Sequence, residues 1–102
     1  MEDFFMVAKR GDLKPVDEWE ESIRNNAKHY TVVGFQPGKG NRHFQTFDNV
    51  IWAKAYAQEL MKEKQLRLRT AMIYAVGEYD NFALVGSVDT NLNYKEVIPK
   101  RW

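Results

Sequence analysis

The sequence predicts one small α+β domain, a two-layer sandwich of helices on a sheet. Three observations lead there. Two segments carry apolar residues at helical spacing, several runs of β-branched and aromatic residues lie between and after them, and the chain is 102 residues long. A chain of that length forms a single core covering roughly two-thirds of its unfolded surface. With 44% hydrophobic and 28% charged residues, it is too apolar to remain disordered. We therefore read residues 1–102 as one domain, with 89–102 as a tail or edge strap.

Residues 4–9 (Phe4-Phe5-Met6-Val7-Ala8-Lys9) are a short apolar run ending in Arg10-Gly11-Asp12. That brevity and the turn chemistry predict a strand, with a fraying helix as the competing reading. Pro15 suits a first helical turn, where its missing N–H costs nothing. Asp17, Glu18, Glu20 and Glu21 favour the positive end of a helix dipole. Val16, Trp19, Ile23, Ala27 and Tyr30 recur at helical spacing, which predicts a surface helix over 15–28 with Trp19 in the core. Glu20 and Arg24 form an i,i+4 pair.

The period then changes. Tyr30 to Gln36 and Arg42 to Phe47 read as two strands of a hairpin joined by Pro37-Gly38-Lys39-Gly40-Asn41. Asp48 or Asn49 is placed to cap a helix over about 50–66. In that helix Val50, Ala53, Tyr56, Ala57 and Leu60 share a face, and the small alanines predict close packing on a sheet. Strands follow at 70–77 and 82–88, separated by Glu78-Tyr79-Asp80-Asn81. The resulting order, β-α-β-β-α-β plus an extra C-terminal strand, fits a ferredoxin-like sandwich.

Fifteen Lys and Arg against fourteen Asp and Glu give a net charge of +1, so no global field draws the chain to nucleic acid or membrane. The basic residues are unevenly spread. Residues 29–69 hold seven bases and three acids, and the simplest account places Lys62, Lys64 and Arg67 at a helix C-terminus, complementing its dipole. There is no cysteine, which removes disulfides, thiolate metal sites and cysteine nucleophiles. No apolar run is long enough to span a membrane, and Met1-Glu2-Asp3 is acidic where a secretory leader is basic. A reducing, cytoplasm-like compartment is the expectation.

Chemistry-bearing motifs are sparse. Gly38-Lys39-Gly40 has the wrong spacing and setting for a phosphate loop and reads as a hairpin turn. His29 and His43 fall in different elements without a carboxylate cluster, so no metal is expected. Ser22 and Ser87 lack a nucleophile elbow, and no cofactor is implied. Arg42-His43-Phe44-Gln45-Thr46-Phe47 is similar to the basic-aromatic strand that precedes the second helix of the RNA recognition motif. That resemblance implies base stacking on an open sheet face by Phe44, with Phe4 or Phe5 as companion. The glycine and second aromatic expected there are replaced by Asn41 and Arg42. The competing reading packs Phe44 or Phe47 beneath a helix.

Residues 4–7, 71–76 and 82–85 are apolar at every position, as in strands covered on both faces. Two helices cover one face, and a second subunit, a ligand or the C-terminal tail must cover the other. We expect a homodimer, with Trp52 and Trp102 as contact residues. The function expected is a non-enzymatic binding or self-assembly module. One alternative is a cofactor-poor enzyme of the dimeric α+β barrel type, acting on a small hydrophobic molecule in a cavity lined by His43, Tyr74 or Trp52. The other is a single-stranded nucleic-acid-binding domain using Arg42 and Phe44.

Overall fold

The computed structural model describes residues 16–97. Helix α1 spans Val16–Asn25, strand β1 His29–Gln36, strand β2 Gly40–Phe47 and helix α2 Val50–Met61. Strands β3 (Thr70–Val76), β4 (Phe82–Val88) and β5 (Tyr94–Glu96) complete a five-stranded sheet of order β2-β1-β3-β4-β5. Every neighbouring pair is antiparallel. The strand expected at 4–9 and the residue Trp102 lie outside the described residues.

The α+β class predicted from the sequence is present, but the strand order differs from the ferredoxin-like one. In that arrangement the segment 30–36 is an edge strand bonded only to 42–47. Here β1 is bonded on both edges, to β2 and to β3. The α2 crossover passes over β1 and sets β3 along its far edge, so no further strand can enter between them.

Local chemistry accounts for the elements. Gly38 and Gly40 take φ of 84° and 88°, values open to glycine at little cost, and the Lys39 N–H donates to the Gln36 carbonyl at 2.9 Å to close the turn. Asn49 caps α2 by accepting from the Ile51 N–H at 2.7 Å. The helix ends at Met61, with Lys62 as its C-cap, five residues short of the expected 66. The chain continues as a 3-10 turn over Lys64–Leu66.

Both helices pack on one face. Val32, Ile73 and Val88 are the largest side chains fully buried there, with Ala53, Ala57 and Ala71 also at zero exposure. Full burial of each large aliphatic contributes roughly 1.5–3 kcal/mol. Helix α1 packs Ile23 against Ala75 and Ala83 in a second, smaller cluster. It is pinned by Arg24, whose Nε donates to the Leu84 carbonyl at 2.7 Å while its guanidinium meets Glu21 at 3.0 Å and Glu20 at 3.5 Å. Trp19 departs from expectation: it is 46% exposed, because the core stripe of α1 narrows to Ile23 beside Gly77.

Close approach of α2 to the sheet depends on small residues in both layers. We predict that Ala57→Leu destabilises the fold by about 1–3 kcal/mol through overpacking. Urea unfolding would read the loss as a lowered midpoint with an unchanged slope.

Candidate functional site

Strand alternation assigns side chains to faces through the register. Tyr30, Val32 and Gly34 of β1 align with Ala75, Ile73 and Ala71 of β3 on the helix side. Thr31, Val33 and Phe35 align with Tyr74, Met72 and Thr70 on the opposite side, which is helix-free among the described residues. Strand β4 carries an irregularity opposite Ile73/Tyr74, after which Leu84 and Phe82 join the helix-free side beside Tyr74 and Val76. The expectation of uniformly apolar strands thus resolves into two chemistries. In β3 and β4 the alanines, with Ile73, Val85 and Val88, face the helices, and Met72, Tyr74, Phe82 and Leu84 face away.

On the helix-free side a shallow groove of about 450 Å³ is lined by Thr31, Val33, Asn41, His43, Tyr74 and Phe82. Tyr74 and Phe82 meet edge to face, with ring centroids 6.3 Å apart and an interplanar angle of 78°, a favoured aromatic geometry. The Tyr74 hydroxyl donates to Met72 Sδ at 3.5 Å. On the other wall, His43 Nε2 lies 3.2 Å from Thr46 Oγ1, and the Thr46 hydroxyl donates to Thr31 Oγ1 at 3.4 Å. A hydroxyl chain therefore runs from a histidine into the sheet. Among the described residues no carboxylate lines the groove beside the imidazole.

The four residues singled out in the sequence divide between the two faces. His43 and Tyr74 come together in the groove. Arg42 and Phe44 do not: Phe44 packs against the main core cluster, with Arg42 over its ring at 4.6 Å. The register shift in β2 between the partners of Val32 and Val33 turns Phe44 to the helix side, so it cannot stack bases on the open face. Trp52 is 67% exposed beside Ile51 at 70%, on the outer surface of α2. The described part of the tail, through Val97, forms β5 at the sheet edge and does not cross the helix-free face. Thr31, Val33, Asn41 and Phe82 were missed as groove residues; Thr31 and Val33, like Asn41 and His43, are i,i+2 pairs, whereas Phe82 reaches the groove only through the pairing of β4 with β3.

Among the described residues no group of three or more His, Asp or Glu side chains is placed to hold a metal ion. None of the described helices is long and apolar enough to cross a membrane. Comparisons with protein-family models, curated proteins and solved structures gave no match for this chain.

A second feature lies at the β5 edge. Tyr94 lies over Gly86, where an added Cβ would collide with the phenol, and Lys54 Nζ sits 4.2 Å from its ring centroid. Burial pushes the Tyr94 phenol above its ordinary value, and the neighbouring Glu96 carboxylate adds to the shift. The folded state thus favours the protonated phenol. Its contribution to stability is complete below the ordinary tyrosine value of about 10 and is lost as pH rises through the raised folded value. We predict that Tyr94 contributes a late-titrating tyrosinate absorbance in the folded protein, removed in Tyr94→Phe and moved to lower pH in Glu96→Gln.

Proposed function

We propose that this domain is a non-enzymatic binding and self-assembly module whose working surface is the helix-free sheet face, closed in solution against the same face of a second copy. The observation that carries this reading is the make-up of that face. From β1 to β4 its positions include Val33, Phe35, Met72, Tyr74, Phe82 and Leu84, and no Asp, Glu, Lys or Arg. Phe82 is 54% exposed at its border. Interface cores are depleted in charge and enriched in Tyr, Phe and Met. A two-fold interface sets each patch against itself, which the stretch from β1 to β4 does without opposing like charges; Lys95 of β5 shares this side only at the sheet edge, opposite Ser87.

The enzyme alternative needs a base to receive a proton from His43, and beside it the groove supplies the Thr31 and Tyr74 hydroxyls and the Asn41 amide but no described carboxylate. The nucleic-acid alternative through Phe44 meets a side chain held under the helix layer. A reducing, cytoplasm-like setting belongs to the same proposal, since a cysteine-free chain needs no oxidising environment.

Light scattering across a concentration series is expected to give twice the chain mass. Phe82→Asp, at a site already half exposed, should weaken the dimer by at least about tenfold, as loss of an aromatic anchor does, with little change in the circular dichroism spectrum. Trp52→Ser should leave the dimer intact. A monomer at every concentration would overturn the reading. So would a dimer broken by Trp52→Ser and untouched by Phe82→Asp, which would move the contact to the outer surface of α2.

A further inference from the structure

We propose that the cleft between the β1–β2 turn and the α2–β3 connection is a binding site for a phosphate-bearing ligand. This cleft, of about 500 Å³, is lined by Gln36, Pro37, Lys39, Gln65 and Arg67. It lies at one end of the sheet, apart from the helix-free groove, and shares no lining residue with it.

The cations here exceed what helix capping explains. Because α2 ends at Met61, only Lys62 stands at the helix C-terminus, and it is engaged by Glu59 at 2.9 Å. Lys64, Arg67 and Arg69 lie beyond the helix, where its dipole has faded. The fold brings them to the same end of the sheet as Lys39 and Arg42, which sit on the β1–β2 hairpin. Lys39, Lys64, Arg67 and Arg69 form no ion pair with any described carboxylate, and no carboxylate lines the cleft. Although the whole chain is nearly neutral, among the described residues this end holds more cations than anions, Glu63 being the acid beside Lys64.

The two walls are tied together. The Gln36 side-chain amide donates to the Leu66 carbonyl at 2.6 Å, and the Arg69 N–H donates to the Phe35 carbonyl at 2.8 Å. Arg67 itself adopts left-handed backbone angles, φ 54° and ψ 38°, a conformation that glycine or asparagine would take at lower cost. An arginine there presents a planar guanidinium able to engage two phosphate oxygens, and Lys39 adds a point charge from the facing wall. Two cations converging on a half-enclosed cleft of this size suit a small polyphosphate or a stretch of nucleic-acid backbone.

Amide chemical shifts, recorded during titration with inorganic tripolyphosphate and separately with a short oligothymidylate, test the site. At low salt either probe is expected to shift the amides of Gln36, Lys39, Gln65 and Arg67. Arg67→Gly relieves the left-handed backbone, so this variant should fold at least as well as the parent. It should lower affinity by about tenfold, the scale of a lost charge-assisted bidentate contact. Saturable shifts with tripolyphosphate alone identify a small phosphate ligand. Stronger binding of the oligonucleotide, falling steeply with salt, identifies a nucleic-acid backbone. The proposal fails if neither probe moves these amides at low salt, or if Arg67→Gly binds as tightly as the parent. Neither result bears on the dimer, which rests on the other face.

Discussion

The contact on which the rest of this structure depends is the seating of α2 on the sheet through residues with almost no side chain. Ala53 and Ala57 of the helix and Ala71 of the sheet are completely buried. Gly34 leaves the space that Phe44 and Leu68 fill, their atoms lying 2.8 Å and 2.9 Å from where a Cβ would stand. Such a contact lets two layers pack closely, but it limits how many large side chains the core can hold. Val32, Ile73 and Val88 are the ones enclosed completely. The bulkiest apolar residues of β3 and β4, Met72, Tyr74, Phe82 and Leu84, are then left to the other side of the sheet. A thin core and an apolar outer face are two results of one packing choice.

That division also explains why the groove and the positive end are separate. The groove is a product of strand alternation, which gathers residues from the middle of β1 to β4. The basic cleft is a product of connections, where the α2–β3 segment returns to the end of the sheet beside the β1–β2 turn. Neither shares side chains with the core, so each can change without disturbing the layer contact.

Much of the local structure was legible in the sequence, because it depends on neighbours a few residues away. The Asn49 cap, the glycine turn and strand 82–88 all follow from short-range chemistry. The buried faces of Ala53 and Ala57 were readable from helical spacing. Strand order was not, since whether β3 lies beside β1 or elsewhere is decided by the path of α2 over the sheet. The same distinction governs the site. His43 and Tyr74 were identifiable as residue types, but their common face follows from the pairing of Val33 with His43 and of Thr31, two residues earlier on the same strand, with Tyr74. Phe44 could be read for either face, and a one-residue feature decides for the helix layer. Alternation holds only where no residue is inserted, and the irregularity in β2 reverses the parity between Gln45 and His43. Trp19 shows the opposite limit: helical spacing put it on a stripe longer than the surface available to cover it.

The irregularity at Phe44 has a consequence for how this sheet ends. Among the described residues β2 has one edge without a partner, and at eight residues it is a long edge. A regular strand of that length is a ready template for a stray chain, the route by which sheet proteins form fibrils. Here an incoming strand in step with Thr46 and Phe47 would be out of step with Arg42 and Asn41. It would also meet the charge of Arg42 as it approached. The extra residue that turns one phenylalanine into the core thus also makes the border of the sheet a poor seed for aggregation.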